Sequence, residues 1–135
     1  MVAYYIGIMT GTSLDGIDAA LIGAEGGRYC YLAHHEQPLP PALRAALQAL
    51  CQPGDNELHR AAVAAWQHAE ASADAVAALL TKTDLTARDI TAIGAHGQTL
   101  RHSPDSDPPY SIQLQNPARI AERTGICLLY TSPSP

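Results

Sequence analysis

The chain has 135 residues, a net charge of −5 and a pI near 5.5; hydrophobic residues make up 47% and charged residues 16%. That balance excludes a disordered chain, and eight scattered Lys and Arg exclude a general nucleic-acid binder. No apolar run approaches the roughly 20 residues of a membrane-spanning helix, and Met1-Val2-Ala3-Tyr4-Tyr5 lacks the basic region of a signal peptide, so a cytoplasmic location is expected. Cys30, Cys51 and Cys127 are widely spaced without a Cys-x-x-Cys pair, which predicts buried or incidental thiols in a reducing compartment. With no Phe, the core must come mainly from Ala, Leu, Ile and Val.

Residues 2–9, 17–23 and 28–36 read as consecutive strands. Glu25-Gly26-Gly27 turns the second into the third, which predicts an antiparallel meander. Pro38-Leu39-Pro40-Pro41 breaks the run, and Pro41 suits the first turn of a helix over Ala42 to Cys51. Asp55 or Asn56 is the expected cap of the next helix. Along it Leu58, Ala62, Ala65, Ala69, Ser72, Val76 and Leu79 recur in steps of four and three, predicting one packed face. Trp66 and His68 fall off that face, and His59 and His68 read as surface or boundary residues. Thr86 to Asp89 has cap-like chemistry, and Ile90 to Ala95 is a short apolar strand ending in His96-Gly97-Gln98-Thr99. Polar groups just past the carboxyl end of a strand are where α/β sheets place binding chemistry. Ser103 to Pro109 is a loop, Tyr110 to Gln115 a strand, and Asn116-Pro117 a helix start that Gly125 closes.

The densest chemistry lies at Gly7-Ile8-Met9-Thr10-Gly11-Thr12-Ser13-Leu14-Asp15-Gly16-Ile17-Asp18. Strand, tight polar turn, strand presents backbone N–H groups and hydroxyls to a phosphate. Gly lets backbone approach closely, and carboxylates nearby can hold magnesium through its waters. The same composition also fits a plain Gly-rich hairpin with a polar tip, since Asp-Gly is a hairpin signal.

Residues 7–18 resemble the opening signature of the anhydro-N-acetylmuramic acid kinases, Gly-x-Met-Ser/Thr-Gly-Thr-Ser-x-Asp-Gly-x-Asp. Two further segments resemble the same family in the same order, Ile93 to His102 and Ser111 to Ile126. The element order alone suits several α/β folds. The resemblance selects the N-terminal half-domain of the actin-like ATPase and sugar kinase superfold, a mixed sheet with flanking helices.

The resemblance implies ATP and Mg2+ as cofactors, with the nucleotide phosphates held by Gly11, Thr12, Ser13, Leu14, Asp15, Gly16, Ile17 and Asp18. Met9 stands where many sugar kinases of this superfold carry an aspartate, and a thioether cannot position a hydrated magnesium ion. Asp15 or Asp18 would take that role through water. His96, Gln98 and Thr99 resemble the family's sugar-side loop, Gln98 and Thr99 offering neutral donors and acceptors. His96 either bonds the sugar, orients a neighbour or is a satisfied structural residue. Asn116 reads as a helix cap whose side chain is also a candidate for sugar contact.

The implied reaction opens 1,6-anhydro-N-acetylmuramic acid. Water attacks the anomeric carbon, the 1,6-anhydro bridge breaks and O6 takes the γ-phosphoryl group of ATP. The product is N-acetylmuramic acid 6-phosphate, a step in recycling cell-wall sugars. The general base is not identifiable in these residues. Past Ile126 the family continues into a Val-rich strand and Asp-Phe-Arg, whereas this chain reads Cys127-Leu128-Leu129-Tyr130 and ends in Ser-Pro-Ser-Pro. Residues 1–126 are therefore expected to be part of a kinase domain and 127–135 an aberrant or truncated tail. The chain is expected to be inactive alone and prone to self-association. A stand-alone nucleotide- or sugar-binding module without catalysis is the alternative. The expected partner is the small anhydrosugar, with no nucleic acid and no membrane; a homodimer of the full-length protein is left open.

Overall fold

A computed structural model describes residues 1–130. Strands β1 (Ala3–Thr10), β2 (Gly16–Glu25) and β3 (Arg28–Pro38) form the expected antiparallel meander. Helices α1 (Pro41–Leu50) and α2 (Glu57–Thr81) follow, then a single 3₁₀ turn at Ala87–Asp89. The chain continues through β4 (Ile90–Ala95), β5 (Gln98–Ser103), β6 (Tyr110–Leu114), α3 (Pro117–Thr124) and β7 (Leu128–Tyr130). The main sheet has the order β3-β2-β1-β4-β7, with β4 parallel to β1 and β7 parallel to β4. This is a mixed α/β architecture with helices packed on the sheet.

Alternation in the strands builds the core. Ile6 and Ile8 on β1, Ile17, Ala19 and Leu21 on β2, and Ile93 on β4 are buried, whereas Gly7, Met9, Asp18 and Gly94 are exposed. Successive side chains of a strand point to opposite faces, so one face of the sheet carries the core. Helix α2 packs on β2 and β3, and α1 and α3 pack on α2. Leu43, Leu47 and Leu50 seal the α1 side. At about 25 cal/mol per Å² of apolar surface removed from water, each buried Leu or Ile contributes roughly 1.5–3 kcal/mol.

The helix ends follow their local chemistry. Pro41 opens α1 at the first helical position. Asn116 Oδ1 accepts from the Arg119 N–H at 3.1 Å, Pro117 starts α3, and Gly125 ends it at φ 70° with its N–H on the Ala121 carbonyl. Thr86 N–H donates to Asp89 Oδ2 at 2.7 Å and fixes the entry to β4. The start of α2 differs from expectation. Asn56 precedes it with φ 56° and makes no side-chain cap bond; Arg60 Nε instead donates to the Asp55 carbonyl at 2.7 Å.

Helix α2 also departs from the predicted face. Leu58 is 90% exposed and Ala62 and Val63 face solvent, because the first turns run clear of the core. Further along, Ala64, His68, Ala71 and Ala75 are buried as well as Ala69, Ser72, Val76 and Leu79. Two stripes are covered because the sheet takes one and neighbouring helices take the other. His68, expected at the surface, is therefore interior. On the α3 side, Arg119 lies 4.3 Å over the Trp66 ring and pairs with Glu70, as does Arg123.

Two further differences concern strands. Residues 98–103, expected to begin as a loop, form β5 and pair antiparallel with β6 as a separate two-stranded sheet. Residues 127–130, expected as part of a tail, include β7, which pairs with β4 through Ile93↔Leu128 and Gly94↔Leu129. The Leu-Leu-Tyr run has the apolar, extended character that a sheet edge accepts. The Ser-Pro-Ser-Pro segment lies outside the described residues. Among the described residues no helix is long and apolar enough to cross a membrane. The thiols of Cys30 and Cys127 are exposed rather than buried, and Cys51 is half-buried.

Candidate functional site

The β1–β2 hairpin closes through a turn in which the Leu14 N–H donates to the Gly11 carbonyl at 3.2 Å. Leu14 sits at φ 58°, a conformation that costs a non-glycine residue about 1–3 kcal/mol. Its side chain is buried in the core, which offsets that cost. Ile17 is buried too. Gly16 is buried because the β3 backbone passes close by: an added Cβ would come within 2.8 Å of the Gln37 carbonyl oxygen. Leu14, Gly16 and Ile17 therefore offer a ligand nothing beyond their backbone. Gly11, Thr12, Ser13, Asp15 and Asp18 are exposed and form the outward part of the hairpin. An added Cβ at Gly11 would meet only Ser13 Oγ, at 3.5 Å, so the space outside the tip is open.

Two hydrogen bonds tie this tip to the segment after β4. Thr10 Oγ1 donates to the Gly97 carbonyl at 2.9 Å, and Gln98 Nε2 donates to the Gly11 carbonyl at 3.2 Å. Gln98 is 1% exposed, so in this structure its amide braces the hairpin from inside. Gly97 has φ 77°, and an added Cβ would overlap the Leu114 carbonyl at the end of β6. Only glycine fits there. Gln113 Nε2 donates to the His96 carbonyl at 3.1 Å. Residues 9–18, 93–99 and 113–116, far apart in sequence, thus meet at the carboxyl ends of β1 and β4. Thr99 is half-buried on β5, and Asn116 is engaged as the α3 cap.

The uncovered face of the sheet holds a cavity of about 600 Å³. Gly7, Ala20 and Gly94 floor it, paired across three strands as Gly7↔Ala20 and Gly7↔Gly94. An added Cβ at Gly7 or Gly94 meets nothing within 4 Å, so these glycines leave room for something outside the described chain. Met9, Asp18, His34 and His96 stand around the floor. His34 Nε2 lies 3.0 Å from Asp18 Oδ1. The structure thus brings Asp18 and His96 to one cavity, while Thr12, Ser13, Gln98, Thr99 and Asn116 do not line it.

No Lys or Arg lines the cavity; its titratable groups are one carboxylate and two imidazoles. Among the described residues no cluster of three His, Cys, Asp or Glu side chains is arranged to hold a metal. Of the two carboxylates expected to hold magnesium, Asp18 lines the cavity and Asp15 does not, and both are exposed. Beneath the His96–Gly97 turn lies His68, 2% exposed. Burial, and secondarily the nearby His96, lower its pKa from 6.5 to about 4.

A family model described as anhydro-N-acetylmuramic acid kinase matches residues 3–130. The chain belongs to the anhydro-N-acetylmuramic acid kinase family. Curated relatives bearing that name include one from Nitrosomonas europaea, 48% identical over 126 residues that make up 93% of this chain and 35% of the relative. One from Cupriavidus pinatubonensis is 51% identical over 124 residues, 90% of this chain and 33% of the relative. One from Shewanella pealeana is 41% identical over 123 residues, 91% of this chain and 33% of the relative. The chain spans about a third of the length of the curated relatives it matches.

Sequence reasoning missed His34 and His68. His34 lies two strands away from Met9, and only the β2–β3 register Ala20↔His34 brings it beside Asp18. His68 was legible only as a polar interruption of an Ala-rich helix.

Proposed function

We propose that this chain forms the phosphate-gripping part of an ATP-dependent kinase acting on 1,6-anhydro-N-acetylmuramic acid. Water adds to the anomeric carbon, the bridge opens and O6 receives the γ-phosphoryl group, giving N-acetylmuramic acid 6-phosphate. The observation that carries the reading is the convergence of the three family-like segments, held by the Thr10–Gly97 and Gln98–Gly11 hydrogen bonds beside an open cavity. Thr12 and Ser13 hydroxyls, with the backbone of Gly11 to Ser13, fit phosphate oxygens. Asp18, and Asp15 at the hairpin, fit magnesium through its waters. A cavity without Lys or Arg cannot neutralise a triphosphate by itself, so these carboxylates matter more than they would beside a cationic loop. When bound, magnesium supplies that neutralisation and orients the γ-phosphoryl group. His96, on the cavity rim, is the sugar-side candidate, with Thr99 and Asn116 further out. Gln98 acts by holding the hairpin.

Positioning of acceptor, water and phosphate supplies most of the rate in such transfers. The cavity is one open wall, and we expect the chain alone to bind nucleotide without turning over. Calorimetry with a non-hydrolysable ATP analogue should show magnesium-dependent binding, weakened roughly 5- to 150-fold in T12A/S13A by loss of two hydrogen bonds of about 0.5–1.5 kcal/mol each. Unchanged affinity in that variant would remove the hairpin assignment. Mass spectrometry should find no N-acetylmuramic acid 6-phosphate after incubation with ATP, magnesium and the anhydrosugar. Product formed rapidly would instead place the missing base within these residues.

A further inference from the structure

His68 is the one histidine of this chain lying wholly inside it among the described residues. Neither ring nitrogen has a hydrogen-bond partner among the described residues, and the same holds for Gln115 Oε1. Both residues line a small void of about 10 Å³ between α2, the sheet and α3. Thr10 and Ser72 bring hydroxyls to the same void, while Ile8 and Ile120 close its apolar sides. Thr10 Oγ1 spends its proton on the Gly97 carbonyl and Ser72 Oγ spends its own on the His68 carbonyl. Neither hydroxyl thus has a proton to offer the void.

The size and the polarity agree on one occupant. A void of about 10–15 Å³ accommodates one water molecule, and a buried water needs two to four polar partners. A buried imidazole left without any partner costs about 1–3 kcal/mol or more, and a neutral ring must place one donor and one acceptor. A single water can bridge the two residues: its oxygen accepts from a ring N–H of His68, and it donates to Gln115 Oε1.

We propose that this void is a one-water site and that neutral His68 is a positioning residue: through that water it fixes Gln115 and the Gly97 turn, and so the hydrogen bonds that hold the hairpin tip. Nothing in this depends on which substrate the open cavity takes. The groups facing His68 from β1, β4 and α3 do not ionise; His96, above it, is the titratable neighbour. His68 is 2% exposed and no carboxylate lines the void with it, so nothing compensates the cost of burying a charge and the ring stays neutral. The pKa lowered to about 4 agrees with this.

The test uses the 135-residue chain labelled with ¹⁵N. Long-range ¹H–¹⁵N spectra should show His68 as a single neutral tautomer, unchanged from about pH 7.5 to about pH 5. Water-selective experiments should show a long-lived water cross-peak to its ring protons. A ring that gains its proton near pH 6.5 in the folded chain, or one with no water cross-peak, overturns the proposal. Two variants then test positioning. H68Q keeps a donor and an acceptor and should retain the parental amide shifts of Gly11 and Gly97. H68L fills the space without hydrogen bonding and should displace both, even where the rest of the spectrum is native. Equal effects of the two variants on Gly11 and Gly97 would refute positioning, and the wild-type measurements decide the water site if either variant fails to fold.

Discussion

The two faces of the five-stranded sheet have opposite uses, although the same strands build both. On one face Ile6, Ile8, Leu21 and Ile93 are buried in the core that α2 shares. On the other, Gly7, Ala20 and Gly94 leave a trough with Met9, Asp18 and His96 around it. Adjacent residues of β1 thus serve stability and binding in alternation, a consequence of the two-residue period of a strand. The division predicts that substitutions one residue apart along a strand will have unrelated phenotypes.

The sharpest contrast is between Leu21 and Gly94. Leu21→Ala empties a fully buried position and should cost about 2–5 kcal/mol, read from the shift of the denaturant midpoint. A cost below ~1 kcal/mol would mean that the covered face is not closely packed.

The next effect is a pH dependence seated under the covered face. His68 has a folded pKa of about 4 against 6.5 in the unfolded chain. As pH falls from 6.5 to 4 the unfolded state takes up a proton that the folded state refuses. Stability from this group is therefore complete above pH 6.5 and is lost progressively down to pH 4, by about 3 kcal/mol in total. Urea titrations across that window, compared with H68Q, should show a smaller slope in the variant. Parallel slopes would mean that the ring is hydrated enough to titrate normally.

The smallest effect on stability belongs to the open face. Gly94→Val should change stability by no more than about 0.5 kcal/mol, since the added side chain meets nothing in the chain. It should nevertheless reduce nucleotide or sugar affinity strongly, because it fills the trough. A stable variant with parental affinity in calorimetry would move the ligand off this face.

Much of this architecture could be read from local chemistry. Alternation in Ala3 to Thr10 and Gly16 to Glu25, and the caps at Asn116-Pro117 and Gly125, are short-range signals and gave the right elements. What escaped reading is set at long range. Gln98-Thr99-Leu100-Arg101-His102-Ser103 has little strand character and becomes β5 only by pairing with β6. His68 is interior only because α2 brings it over the ends of β1 and β4 with α3 docked alongside. At the candidate site the string from Gly11 to Asp18 identified the hairpin, but not that Leu14, Gly16 and Ile17 turn inward. Nor did it show that Gln98 reaches Gly11 rather than open space. Side-chain direction at a turn depends on the neighbours that the finished fold supplies.

The two hydrogen bonds at the hairpin tip each join residues 87 positions apart. Closing a chain segment of that length carries an entropic cost of about (3/2)RT ln n, roughly 4 kcal/mol, while a single hydrogen bond returns only about 1 kcal/mol. Neither bond can form on its own initiative; both must wait until the β1–β4 ladder has brought the segments together. The shape of the tip is therefore a late acquisition in folding, and a partly folded chain holding only the β1–β2 hairpin would present the right residues in an unfixed arrangement.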